Sequence, residues 1–454
     1  VAAQYAISGT TAKGITSSVE QAVAEGALEP GEALPPVRRL ADELGVGAGT
    51  VATAYKELRQ RGIVVTRGRG GTVVARTPAV GSRRPPKVPQ GVRDLAGGHP
   101  DPALLPVLLP PERVDPVNGS HRASPRLAGL EELARRWFAR DGVPDAHVTF
   151  AHGALDCMAR LLSVELKPGD AVAVEDPGFH HLLDLVPALG LRMVPVAVDD
   201  EGIRPEALRG ALRAGARAVV CSPRGQNPVG GCFSQERRNA LLDVLGGFPE
   251  VLVVEDDHNA EIAGAAAHSP ASPASLPPLS PLPSLATGRL GRWAQVRTVS
   301  KHLGIDLRWA ALACDATTLA RHEGRMLLTS GWVSHVLQET IERTMTDPAA
   351  LALVGRAGRI YAERRKTLIE ELARRGIPAH GASGLNVWVP VRDESAVVNG
   401  LRSCGWWVAA GARFRIATPT AVRITTATLE AADAARLADD FTAVLGESEA
   451  TYGG

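Results

Sequence analysis

The chain has 454 residues, 45% hydrophobic and 22% charged, long enough for two or three domains of about 100–200 residues each. It holds no apolar run of about 18 residues that would span a membrane. Its first residues lack the basic and apolar stretches of a signal peptide, and its five scattered cysteines include no close C-x-x-C pair. A zinc ribbon and a disulfide framework are excluded, no metal site is expected, and the cysteine usage suits a reducing cytoplasm. Net charge is +1, yet residues 1–93 carry 13 Lys and Arg against 7 Asp and Glu. A basic front on a mildly acidic remainder suits an appended nucleic-acid module.

In chain order, helices are predicted over Thr16–Ala27, Val37–Leu44 and Gly49–Arg61, with Gly45 supplying the turn between the last two. Two short helices around such a turn make a helix-turn-helix, whose second member can lie in the major groove. IVVTRGRGGTVV (63–74) follows as two β-like pieces around Arg67, Arg69 and Gly70, a hairpin whose arginines can reach phosphates or a minor groove. Gly68 and Gly70 lie between strands rather than before a helix, so a nucleotide-binding loop fails its context. A plain helical bundle with a basic face is the alternative to DNA binding, but helix spacing, turn glycine and arginine-tipped wing occur together in order. Residues 77–93, rich in Pro and Arg, are expected to be a semi-rigid basic linker.

Beyond it, AVAVED (171–176), ARAVVCSP (216–223) and VLVVEDD (251–257) are continuous apolar runs ending in polar residues. That is the pattern of buried parallel strands with function gathered at their carboxyl ends. Helices such as SQERRNALLDVL (234–245) separate them, which gives an α/β block. From about residue 345 a long charged helix leads to a smaller α+β tail. HSPASPASLPPLSPLPS (268–284) is expected to be an exposed loop.

Four segments of this block carry chemistry. TFAHGALDCMARLL (149–162) is a strand, a glycine turn and a helix start, where Gly153, Ala154 and Leu155 can turn N–H groups toward an anion; many such turns bind nothing. CSPRGQNPVGGCFS (221–234) forms a tight turn in which the Asn227 amide can bond a ring oxygen. VVEDDH (253–258) ends a strand in two carboxylates, and an aspartate there could keep a pyridine nitrogen protonated; a helix cap or solvated turn is the plainer alternative. RTVSKHLGIDLRWA (297–310) places Lys301 among Thr298, Ser300 and Arg308. A lysine can form a Schiff base with a cofactor aldehyde, while hydroxyls and a guanidinium suit its phosphate.

The front block resembles the GntR winged-helix regulators from Leu34 to Val74. That resemblance implies that Arg38 contacts DNA, that Thr50 and Tyr55 belong to the recognition helix, and that Arg67, Arg69 and Gly70 form the wing. Gly47, Ala48 and Gly49 stand where the family usually has a Ser-Arg pair, so one charge-assisted contact is missing. Residues 94–447 resemble the fold-type-I aminotransferases, which implies a pyridoxal 5'-phosphate cofactor. By that resemblance Lys301 is the Schiff-base lysine, Asp256 the pyridine-nitrogen partner and Asn227 the ring-hydroxyl partner. Phe179 would stack on the ring, and His258 stands where a tyrosine is common. Gly153, Ala154, Leu155, Thr298, Ser300 and Arg308 would hold the cofactor phosphate end, and Arg423 occupies the position that grips a substrate carboxylate.

The combination resembles the MocR/GabR subfamily of GntR regulators. DLAGGHPDP, SPRGQNPVG, VEDDH, VSKHLGIDLR and WVSHVLQ carry a closer likeness to its PtsJ-type branch, associated with vitamin B6 metabolism. The expected layout is a winged helix-turn-helix over residues 1–76, the linker, and an aminotransferase-like domain over 94–447 with its small subdomain from about 345. A cytoplasmic homodimer that binds operator DNA and senses pyridoxal phosphate is implied. The four tyrosines, Tyr5, Tyr55, Tyr361 and Tyr452, all lie outside the cofactor segments, where aminotransferases usually place several. That favours a regulator over two alternatives: a working aminotransferase with a vestigial DNA module, and a remnant that binds no cofactor.

Overall fold

Val51, Ala54, Tyr55 and Leu58 recur at helical spacing, and all four are buried, the core-facing stripe of an amphipathic helix. The computed structural model describes residues 7–24, 27–29, 31–60, 63–66, 71–75, 88–112, 124–143, 147–263, 284–286 and 289–452. They fall into two compact units, one of residues 1–86 with 167–170 and 183–193, and a larger one of residues 87–166, 171–182 and 194–454. In the first, α1 (Ala12–Ala24), α2 (Val37–Leu44) and α3 (Ala48–Gln60) precede an antiparallel hairpin of β1 (Val64–Thr66) and β2 (Thr72–Val74). α1 starts four residues earlier than predicted, because the Thr11 hydroxyl accepts the Gly14 N–H at 3.1 Å and caps the first turn. Gly45 closes α2 in the left-handed conformation, as the turn requires. Arg67, Arg69 and Gly70 of the wing, linker residues 77–87 and loop residues 268–283 lie outside the described residues.

From residue 87 the chain runs through β3 (Arg93–Asp94), α4 (Ala128–Ala139), β4 (His147–Ala151), α5 (Ala154–Glu165), β5 (Ala171–Asp176) and α6 (His180–Ala188). It continues through β6 (Arg192–Asp199), β7 (Gly202–Ile203), α7 (Pro205–Arg213), β8 (Ala216–Cys221), α8 (Gln235–Leu245), β9 (Leu252–Asp257), β10 (Trp293–Thr298) and β11 (Ala310–Cys314). β4 to β11 make one sheet in the order β4-β11-β10-β9-β8-β5-β6-β7. β5, β8, β9 and β10 are parallel neighbours, and β11 runs against both β10 and β4. Every residue of β5 and β9 is buried, as expected of parallel strands covered on both faces. The carboxyl ends of β4, β5, β8, β9 and β10 therefore gather at one edge with the entry to β11, the usual place for a ligand in such a sheet.

α9 (Ala316–Leu327), α10 (His335–Thr346) and the long α11 (Pro348–Arg374) follow. Asp347 caps α11 by accepting the Ala350 N–H at 2.7 Å. The small subdomain holds β12 (Asn386–Pro390), α12 (Glu394–Ser403), β13 (Trp406–Trp407), β14 (Ala409–Ala410), β15 (Ala421–Thr425) and α13 (Ala431–Tyr452). β12, β15 and β14 form an antiparallel sheet, while β3 pairs in parallel with β13. Leu95, just after β3, is buried in the core of this subdomain with Val387 and Ile424. The subdomain thus draws in a strand from the start of the block, besides the tail after about residue 345. Among the described residues no helix is long and apolar enough to cross a membrane.

Candidate functional site

A cavity of about 270 Å³ opens at the carboxyl edge of the large sheet. Gly153, between β4 and α5, has φ 96°, and a Cβ there would stand 3.1 Å from Arg308 Nη2. Glycine alone accepts that backbone and lets the guanidinium close over the start of α5, where Ala154 and Leu155 line the cavity. Thr298, ending β10, has its hydroxyl 2.9 Å from that of Ser300 and donates to the Trp309 carbonyl at 2.9 Å. A helix N-terminus, hydroxyls and a guanidinium converge, which is the chemistry of a phosphate cradle.

β9 turns its two terminal aspartates to opposite sides, as a strand must. Asp257 accepts from Arg224 Nε and Nη2 and from Arg297 Nε, each at 2.7 Å, away from the cavity. Burial alone would raise its carboxyl, but the two guanidiniums outweigh it and hold it at about 2. Asp256 lines the cavity, its Oδ1 buried without a hydrogen-bond partner and its Oδ2 3.6 Å from His258 Nδ1. An unsatisfied buried carboxylate oxygen calls for a donor from a ligand, and a protonated pyridine nitrogen is such a donor.

Lys301 Nζ donates to the Gly98 carbonyl at 2.6 Å. Burial, then the charge of Arg423, lowers its amine to about 8, against the opposing pull of Asp256. Arg423 on β15 donates through Nη1 to Asn227 Oδ1 at 2.9 Å, and its guanidinium lies 4.5 Å over the Phe414 ring. With Asn227 Oδ1 so engaged, the amide NH₂ remains to donate to a ligand oxygen. Burial, then Arg413, lowers Arg423 to about 9. Phe179 stands in the wall, edge-on to His180 and His181 with ring centres 5.4 Å apart in each case.

Every residue expected to hold a cofactor or carboxylate lines this cavity or, like Gly153, shapes its wall. Gly97, Gly98, His99, Asn259 and Asn386 line it too and had no predicted role. The first three lie in DLAGGHPDP, a segment singled out for family likeness but given no chemistry. Burial, then Lys301, lowers the His99 imidazole, so it faces the cavity neutral near pH 7. Tyr361 is buried elsewhere, its hydroxyl accepting the Asp101 N–H at 3.0 Å.

In the N-terminal unit, Arg38 is exposed on α2 and Thr50 half-buried on α3. Tyr55 is a correction to the expected DNA-contacting set. It is 1% exposed, and its hydroxyl donates to the Pro35 carbonyl at 2.7 Å, so it ties α3 to the segment entering α2. The exposed face of α3 instead presents Thr53 and Lys56. Gly47, Ala48 and Gly49 are exposed at its start, so the missing Ser-Arg pair leaves that entrance without side chains that reach outward. Arg38→Ala and Lys56→Ala should each weaken DNA binding and flatten the slope of log K against log salt by about 1. Titrations at several salt concentrations check this; an unchanged slope would remove either residue from the interface.

The family described as bacterial regulatory proteins of the gntR family matches residues 11–74, and that of class I and II aminotransferases matches residues 123–441. The vitamin B6 salvage pathway transcriptional repressor PtsJ of Salmonella typhimurium is 37% identical over 441 residues, covering 96% of this chain and 98% of the repressor. The probable rhizopine catabolism regulatory protein MocR of Rhizobium meliloti is 25% identical over 380 residues, covering 76% of this chain and 73% of MocR. Among solved structures, the Pyrococcus horikoshii kynurenine aminotransferase superposes with a TM-score of 0.68 at 20% identity. That match covers 79% of this chain and 92% of the enzyme.

Proposed function

Because the chain belongs to the MocR-type GntR regulators, transcription factors that fuse a winged helix-turn-helix to an aminotransferase fold, we propose that its effector is pyridoxal 5'-phosphate. Vitamin B6 metabolism genes are its proposed targets, in line with its Salmonella relative, a repressor of the vitamin B6 salvage pathway. The observation that carries the effector is the unpartnered Asp256 Oδ1 in the same cavity as Lys301 and the Gly153–Arg308 cradle. When bound, the cofactor supplies an aldehyde and an electron-withdrawing ring.

This chain's own residues then divide the work. Thr298, Ser300, Arg308 and the start of α5 would hold the phosphate. Asp256 would keep a proton on the ring nitrogen, and Asn227 would donate to the ring oxygen. Phe179 would cover the ring, and Lys301 would supply the amine for the cofactor aldehyde. His258 stands where a tyrosine is common in the aminotransferases this block resembles, so an imidazole replaces a hydroxyl that would tune the cofactor, which favours a sensor over a fast enzyme. The proposed active species is a homodimer reading operator DNA.

Coupling between cofactor and DNA should change operator affinity roughly 5–150-fold, or about 1–3 kcal/mol, and by linkage DNA should change cofactor affinity by the same factor. Titrating operator DNA against cofactor-free and cofactor-loaded protein at fixed salt decides it. Identical affinities would overturn the sensing role, and steady keto-acid formation from amino acids would move the reading toward an enzyme.

A further inference from the structure

β15 places Arg423 and Thr425 two residues apart, on one face of the strand, and the segment Leu95–Gly98 is bound along that face. The Thr425 N–H donates to the Leu95 carbonyl at 2.7 Å, and the Gly98 N–H donates to Thr425 Oγ1 at 3.1 Å. Asp94 Oδ1 accepts the Ala96 N–H at 2.8 Å and sets the bend that starts the segment. Held this way, it presents two carbonyls to the cavity's cations. Arg423 Nη2 donates to the Ala96 carbonyl, and Lys301 Nζ donates to the Gly98 carbonyl at 2.6 Å.

Two other approaches to Arg423 are also occupied, while its Nε is buried without a hydrogen-bond partner. Nη1 is bonded to Asn227 and the Phe414 ring covers one face. Gly98 lies so close in front that a Cβ on it would stand 3.2 Å from Nη2 and 3.3 Å from Nη1. A carboxylate binds a guanidinium best through two parallel N–H bonds, and here the Ala96 carbonyl and the Gly98 backbone stand where that approach would be made.

We infer that Ala96–Gly98 is a built-in strap that closes the amino-acid carboxylate subsite, so that the site takes a phosphorylated aldehyde alone and rejects α-amino acids. The strap has to leave Arg423 before a carboxylate can dock. An amino acid therefore gives up a charge-assisted hydrogen bond already made within the protein, which weakens its binding roughly 10–100-fold. This inference rests on the cofactor reading above and concerns what else the loaded site admits.

The test loads the full-length protein with pyridoxal phosphate and titrates it with L-alanine, L-glutamate and L-serine, reading the shift of the visible absorption band. The wild type should keep its band at millimolar amino acid. Thr425→Val, which removes the acceptor for the Gly98 N–H, should shift at concentrations about 10–100-fold lower, while Thr425→Ser should behave as wild type. Asp94→Ala, at an exposed position outside the cavity, releases the strap from its other end and gives the same readout should the buried valine variant fail to fold. A wild-type shift at the same concentration as the variants, or no shift in any of them, overturns the strap. Failure of the band to form in the wild type overturns the cofactor reading and the strap with it.

Discussion

Asp257→Ala should lower the unfolding free energy by about 3–5 kcal/mol, while Asp256→Ala, one residue earlier, should change it by less than about 1 kcal/mol. Asp257, Asp141, Arg224 and Arg297 are all buried. Asp257 bonds both arginines, and Asp141 accepts from Arg224 at 3.0 Å and from Arg297 as well. Removing Asp257 leaves guanidinium charge buried with half its counter-charge. Asp256 has no such partners to lose, and its removal takes away a buried carboxylate oxygen that nothing in the protein satisfies. Its cost falls on cofactor retention, since the ring nitrogen loses its acceptor. Urea unfolding of both cofactor-free variants separates the roles; equal losses would mean both carboxylates are structural.

The pH dependence follows with a definite sign. Asp257 is held at about 2, below the ordinary aspartate value of 3.8, so its stabilisation is present above about 4 and lost as pH falls toward 2. Glu175 and Glu255 act in the opposite sense, because burial raises both to about 7 despite the hydrogen bonds they accept. Folded protein holds more protons at these two sites than unfolded chain between about 4.5 and 7, so their contribution to stability declines as pH rises through that window.

Lys301→Ala should abolish covalent capture of pyridoxal phosphate completely, with neither the visible band nor the adduct that borohydride makes permanent. Retention of that adduct would place the attachment on another residue. In the wild type the attacking amine must be neutral. Its value of about 8 leaves roughly a tenth of it neutral at pH 7, several hundred times more than an ordinary lysine. Capture should accelerate from pH 6 and level off above about 8. Because the charge of Arg423 contributes to that lowering, Arg423→Leu should move the midpoint upward. A midpoint unmoved by this change would leave burial as the whole cause.

Much of this protein follows from local sequence. The bounds of α2, the strand Ala171–Asp176, and the order of glycine turn, asparagine turn, acidic pair and lysine are set by near neighbours. Apolar runs, caps and turn residues act within a few positions, and a parallel sheet brings the ends of its strands to one edge without further instruction. Tyr55 was within reach as well, since Val51, Ala54, Tyr55 and Leu58 mark the buried face of α3, and a recognition helix has one face for its own core. Which carboxylate of the acidic pair faces the cavity was not legible. Strand alternation separates Asp256 from Asp257, but the side that holds Arg224 and Arg297 is fixed only when β8 and β10 flank β9. The segment Ala96–Gly98 lay furthest from sequence reasoning. Its meeting with Lys301, 203 residues away, depends on β3 pairing with β13 and on β15 offering Thr425 beside Arg423. Such contacts arise from the packing of a small subdomain against the opening of the chain, and no periodicity or spacing within either segment encodes them.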